Sequence, residues 1–279
     1  MRKTVLTLGI LVSIVACKKF DFESKKAGKP LNEHQVSVIL NNDNVSFNME
    51  LEELQSEFRK VGEFHNMALE KYFQSHPEKD ANHEEQFKAF LAQLLEENSN
   101  DLCGDCLMSE TYLVEGLNDK SNEELMTSLE DEFNFEFSEV YKEAVYQVEE
   151  ILSQDAAADE IGQKVDEVVA SHFGAINNDI EKIGLVAMAE VGKASYSYWQ
   201  SHLQLWDEQY DDGVIMADTD HPVAKADAWG AKVGAVKGGV AGAFSGGAIG
   251  AFAGAILGSA TSATIKSFTA AFKEVLKKE

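Results

Sequence analysis

Proline is nearly missing from this chain: 3 residues in 279, at Pro30, Pro77 and Pro222. Proline interrupts helices, so its scarcity leaves long stretches in which a helix can run unbroken. Pro77 closes one helical pattern, and Pro222 stands at the first position of another. Cysteine is equally sparse at 3 residues, Cys17, Cys103 and Cys106, too few for a disulfide framework. Basic residues are outnumbered two to one, with Lys and Arg at 24 against Asp and Glu at 48 and a net charge of −24. That balance repels phosphate backbones and argues against a nucleic-acid partner.

The motifs of common chemistries are missing too. There is no GxGxxG after a strand, no GxxxxGK[ST], no HExxH and no EF-hand spacing. Ser245 stands in Ala243-Phe244-Ser245-Gly246-Gly247, which departs from the nucleophile elbow because its first glycine is an alanine. Cys103-Gly104-Asp105-Cys106 has the spacing of a redox dithiol or half a zinc site. Asp101, Asp105 and Glu110 disfavour a thiolate there, and no second CxxC follows, only the distant His76 and His83. A local disulfide between Cys103 and Cys106 is the reading the residues favour. Asp211, Asp212, Asp218 and Asp220 form an acidic loop that could meet a cation, with a solvated loop as its default. No catalytic residue, cofactor or metal site is expected.

What the chain does have is glycine at a fixed interval. Gly230, Gly234, Gly238, Gly242, Gly246, Gly250, Gly254 and Gly258 fall at every fourth position, and the adjacent helical row holds nothing larger than serine. Two backbones can approach closely along such a face. From Gly238 to Ile265 no side chain is charged, a stretch of about 42 Å as a helix against a hydrocarbon core of about 30 Å. A period of 4 drifts around a helix of 3.6 residues per turn, so one straight partner cannot follow all the glycines. Two arrangements fit: a single long helix, or a helical hairpin that turns near Ser245-Gly246-Gly247. The segment is expected to self-associate in or on a membrane, with a tight helix pair inside a soluble domain as the alternative.

The amino terminus reads as an export signal. Met1-Arg2-Lys3 is basic, Val5 to Ala16 is an apolar run too short for an ordinary span, and Ile14-Val15-Ala16-Cys17 follows. This end resembles the lipobox of bacterial lipoproteins, which implies lipidation of Cys17 and attachment to the cell envelope. Lys18 stands where aspartate would signal inner-membrane retention in that family, so the resemblance implies the outer membrane. The glycine repeat is similar to the glycine-zipper segments of bacterial envelope lipoproteins and of small membrane-active bacteriocins. His65-Asn66, together with Ser195-Tyr196-Ser197-Tyr198-Trp199, resembles an uncharacterised group of lipoproteins from gliding and gut-type bacteria.

Between these ends the periodicity is helical from Met49 to about Tyr210. Leu51, Leu54, Phe58, Val61, Phe64, Ala68 and Tyr72 form one stripe, and Phe87, Phe90, Leu91, Leu94 and Leu95 the next. One helix is expected from Ser121 through Ile151, another from about Ala157 to Phe173, and a long one from Asn178 through Trp206. His65 and His172 lie on helical stripes and read as satisfied core or boundary residues. The fold class is all-α: a helical domain of about five helices, then a glycine-zipper helix or helical hairpin, then a short amphipathic helix.

The boundaries are a signal peptide over 1–16, a lipidated tether over 17–48 with room for a short hairpin over 36–47, and an acidic helical domain over 49–210. An acidic linker over 211–221, the glycine-zipper segment over 222–265 and a basic amphipathic tail over 266–279 complete the chain. Charge follows these divisions: residues 223–279 carry 7 lysines against 3 acids, so the acid is concentrated upstream. The basic tail, with Phe268 and Phe272 set against Lys266 and Lys273, suits a membrane interface.

The function that these features imply is a non-enzymatic, lipid-anchored envelope protein whose partners are the lipid bilayer and, through the glycine zipper, further copies of itself. A membrane-active, pore-forming or toxin-like protein and a periplasmic ligand- or cation-binding lipoprotein are the other two readings.

Overall fold

The computed structural model describes residues 49–76, 83–103, 122–133, 135–210 and 222–276. The signal peptide, Cys17 and its tether, Cys106, the acidic linker with Asp211, Asp212, Asp218 and Asp220, and residues 277–279 lie outside them. Helix α1 is Leu51–Ser75, α2 is His83–Cys103, α3 is Asn122–Phe133, α4 is Glu139–Leu152, α5 is Ala158–Phe173, α6 is Asp179–Tyr210 and α7 is Pro222–Leu276. The fold is all-α, and no strand occurs among the described residues.

The stripes read from the sequence are the buried faces. Leu54, Phe58, Val61, Phe64, Ala68 and Tyr72 of α1 are buried, as are Phe87, Leu91, Leu94 and Leu95 of α2. Helix α2 runs on through Asn98-Ser99-Asn100-Asp101, which the sequence suggested as its end, to Cys103. Asn98 and Ser99 are accommodated because their side chains donate back to the carbonyls of Leu94 and Glu96.

The helix expected from Ser121 through Ile151 is two helices, α3 and α4. Ser138 between them has extended backbone and caps α4 by accepting from the Tyr141 N–H. Carboxylates hold the break open: Glu130 accepts from the Phe137 N–H, and Glu181 of α6 accepts both the Ser138 N–H at 2.7 Å and its hydroxyl at 2.7 Å. The apolar spacing continues across this point, so periodicity alone misses it. Asn178 caps α6 through the Ile180 and Glu181 amides.

Helix α7 is where the molecule closes on itself. Its backbone is helical from Pro222 to Leu276, yet a Cβ on Gly238 would meet the carbonyl of Gly254, and one on Gly254 the carbonyl of Gly238. In a straight helix those residues stand about 24 Å apart. Gly234 pairs in the same way with Gly258, Gly242 with Gly250, and a Cβ on Gly230 would lie 2.8 Å from the Ser262 carbonyl oxygen. Every pair is centred on residue 246, so α7 is a hairpin of two antiparallel arms. The glycines join these arms within one chain, and the seam expected between chains in lipid is used here to build the core.

The rest of the bundle wraps this hairpin. Helix α6 packs along α7 and α1 lies against both, with α5 on α6 and α2 on α7. Small residues set the crossings. A Cβ on Gly62 of α1 would stand 2.7 Å from the Ala194 Cβ, and one on Gly192 of α6 would stand 2.7 Å from Leu152 Cδ1 and 3.1 Å from the Ala228 Cβ.

The expected basic tail is the end of the second arm. Phe268 is buried and stacks on Phe87 at 3.9 Å, with Tyr72 and Trp206 edge-on at 5.1 and 6.3 Å. The aromatic face at this point meets the interior of the same chain, a correction to the expectation that it faces lipid. Among the described residues, no helix is long and apolar enough to cross a membrane.

Candidate functional site

The described residues converge on one polar cluster, built around Asp227 on the first arm of α7. Its side chain is fully buried, and its Oδ2 accepts from the Ser195 hydroxyl, from Trp199 Nε1 at 3.2 Å and from the Ser267 hydroxyl at 2.8 Å. Ser195 and Trp199 come from α6 and Ser267 from the second arm, so one carboxylate oxygen ties three helical segments together. Trp199 Nε1 also lies 3.1 Å from Ser267 Oγ.

The fourth segment is α1. His65 is fully buried, with Nε2 3.3 Å from Asp227 Oδ2 but not aligned for a hydrogen bond. Its other nitrogen, Nδ1, lies 2.8 Å from Asn66 Oδ1, while Asn66 Nδ2 donates to the Ala194 carbonyl at 3.0 Å. The amide of Asn66 is thereby oriented with its oxygen toward the ring, so Nδ1 is the donor. His65, Asn66, Ser195 and Trp199 are residues that the sequence singled out, and the structure brings them together. Asp227 and Ser267 at the centre were not foreseen. A signal was present: Asp227 is the sole acid between residues 223 and 273, set among alanine, tryptophan and glycine.

A serine, a histidine and an aspartate in one cluster invite comparison with a catalytic triad. The connectivity is wrong for one. In a triad the histidine stands between serine and carboxylate and removes the hydroxyl proton. Here Asp227 stands in the middle, Ser195 donates to it directly, and all three side chains are fully buried. The arrangement holds helices together; it does not present a nucleophile.

A second buried polar group lies one turn further along the same arm. Lys232 is fully buried, with Nζ 3.7 Å from the Trp229 ring centroid and 5.9 Å from those of Phe137 and Tyr141. Its hydrogen bond goes to Met126 Sδ at 3.2 Å. Burial pushes this amine well below the usual lysine range, against the opposing pull of Glu149 and Glu130. Burial, assisted by Glu181, pushes the Tyr141 hydroxyl up.

Two carboxylates on α6 complete the inventory. Burial raises Glu181, opposed by its bonds from Ser138 and by Lys142. Burial also raises Glu190, opposed by Lys193 at 2.8 Å.

Of the glycines named from sequence, Gly230, Gly234, Gly238, Gly242, Gly250, Gly254 and Gly258 all take part in the seam, and residue 246 lies at its centre of symmetry. Cys103 ends α2 and its expected partner Cys106 is outside the described residues. His76 stacks on Tyr72 at 4.0 Å and His172 lies 2.8 Å from the Val168 carbonyl. No group of three or more potential metal ligands occurs among the described residues.

No protein-family model matches this chain, and neither a curated protein nor a solved structure matches it significantly.

Proposed function

We propose that this chain is a non-enzymatic, lipid-anchored protein of the bacterial envelope, with a structural or interaction role carried by its acidic helical body. One observation carries the reading: the glycine seam closes between two arms of the same helix, with Asp227 locking both arms to α1 and α6. The segment that resembles a membrane zipper is thereby committed to the core, which leaves the acylated Cys17 as the attachment to the bilayer. Two or more acyl chains suffice for stable anchoring. The polar cluster supports a non-catalytic reading through its connectivity and depth.

The membrane-active reading draws on the same hairpin, whose 28 uncharged residues from Gly238 to Ile265 would be its inserting part. A closed hairpin that crosses twice needs about 60 Å of helix, and these residues supply about 42 Å. Crossing once would open the seam and separate Gly238 from Gly254.

Fractionation of cells expressing the wild type and Cys17→Ser tests the proposal. The wild type is expected in the membrane fraction, resistant to a high-salt wash. Cys17→Ser is expected in the soluble fraction. A Cys17→Ser protein that still requires detergent would overturn the proposal in favour of membrane contact through α7, and dye release from vesicles would then be the measurement to make.

A further inference from the structure

We propose that the α7 hairpin also opens at its reversal and exchanges arms with a second copy of this chain, giving a swapped dimer in which each glycine seam is rebuilt between chains. The contact set makes a second copy the fitting partner. Gly234 meets Gly258, Gly238 meets Gly254 and Gly242 meets Gly250, and the clashes that a Cβ would cause at Gly238 and Gly254 are reciprocal. An antiparallel pairing centred on residue 246 is its own mirror in sequence. If arm one of each copy takes arm two of the other, the same residues meet, related by a two-fold axis, and no new surface has to be designed.

The reversal itself is suited to opening. The paired glycines leave only residues 243–249 to turn the chain, so the reversal is short. No proline stands within α7 after Pro222. Straightening therefore changes a few backbone angles and adds helical continuity. Short hinges between closely packed elements favour exchange of this kind.

The location fits as well. On the second arm, Gly250, Phe252 and Ala253 beside the reversal are partly exposed, whereas residues 254 to 269 are buried throughout. The second arm thus becomes less buried toward the reversal, and the exchange takes place as two chains refold together. Net charge opposes the association: at −24 per chain, two copies repel, and salt screens that repulsion. The dimer fraction is therefore expected to rise with ionic strength.

A disulfide reads the two forms apart. A Cβ on Gly239 would lie 3.7 Å from the Ala255 Cβ, inside the range of about 3.5–4.5 Å that a disulfide spans. The full chain would carry Gly239→Cys and Ala255→Cys, with Cys17→Ser, Cys103→Ser and Cys106→Ser to remove the native thiols. It would be unfolded, refolded at low and at high protein concentration, oxidised and run on non-reducing denaturing gels.

The closed hairpin cross-links within a chain and runs as a monomer. The exchanged form cross-links between chains and runs as a covalent dimer, expected after concentrated refolding with unchanged far-UV circular dichroism. Gly246→Ala with Gly247→Ala favours a continuous helix, since each glycine opposes helix by about 1 kcal/mol, and should raise the dimer about tenfold. A Gly-Ser-Gly insertion after Gly246 relaxes the hinge and should lower it by a similar factor. If the alanine variant fails to fold, the insertion decides. Monomeric cross-links at every concentration in both hinge backgrounds would overturn the proposal, as would a dimer fraction indifferent to the hinge.

Discussion

Asp227 and Lys232 stand five residues apart on the same arm, both fully buried, and the fold treats them oppositely. Asp227 meets three donors and a histidine, whereas Lys232 has a thioether and aromatic faces. Removing the carboxylate takes away the acceptor of the buried Ser195 and Ser267 hydroxyls and one of the two acceptors of the Trp199 indole. Asp227→Ala is expected to cost about 1–3 kcal/mol for each buried donor left unpaired, read by urea denaturation. A loss under about 1 kcal/mol would show that the cluster does not lock the arms. Lys232→Met should act in the other direction, because a methionine of similar length fills the aromatic box without a charge to desolvate. The sign follows from the lowered pKa of Lys232. The unfolded chain holds a proton on this amine up to about pH 10.5, the folded chain gives it up earlier, and stability therefore rises with pH between the folded and unfolded values. Lys232→Met is expected to be about 1–3 kcal/mol more stable than wild type at neutral pH, with the gap closing as pH approaches 10.5. A variant that is less stable throughout that range would refute the desolvation argument.

At the scale of the element, two glycines in helices separate packing from propensity. A Cβ on Gly162 of α5 would meet only Lys193 Cδ at 3.9 Å, an ordinary contact with a flexible side chain. Gly162→Ala is expected to stabilise the protein by about 0.5–1 kcal/mol, the usual gain for alanine over glycine inside a helix. Gly238→Ala places the same methyl against the Gly254 carbonyl, and backbone cannot swing aside. Its expected cost is about 3 kcal/mol, at the top of the overpacking range. Thermal melts of the two variants would check the contrast, and equal effects at both sites would mean that the seam is slack.

This contrast also marks what the sequence made legible. The period of four announced a seam, and Ser245-Gly246-Gly247 marked a place for it to turn. The choice between hairpin and straight helix depended on the partners that α1 and α6 provide, which no local pattern contains. The break between α3 and α4 was hidden for a related reason, since its stabilising carboxylate, Glu181, comes from 43 residues away. Of the polar cluster, the sequence offered His65, Asn66, Ser195 and Trp199 as separate words. Asp227 joins them only once α7 is laid between α1 and α6.

The whole molecule inverts the usual distribution of glycine. The glycine-bearing stretches 230–236 and 254–263 are buried, and amphipathic helices with acidic outer faces pack against them. Glycine disfavours helix in water by about 1 kcal/mol per residue, so α7 is helical because its surroundings exclude water and because its arms supply van der Waals contact at backbone distance. The hydroxyls on the second arm fit this setting. Ser259 donates to the Ala231 carbonyl across the seam at 3.1 Å, and Thr261 and Thr264 donate to carbonyls one turn back. Each of these three finds its acceptor within α7 itself. A helix that depends this fully on its jacket has no partial state in which it persists alone, so its amides should open only when the whole domain does. Hydrogen exchange in native conditions is thus expected to be slowest across residues 230–242 and 254–268, with an opening free energy equal to that of global unfolding. The outer helix α5, which touches α4 and α6, should exchange by smaller local openings. Faster exchange in the two arms than in α5 would mean that the hairpin leaves its jacket without unfolding it, and the seam would then be available to a membrane after all.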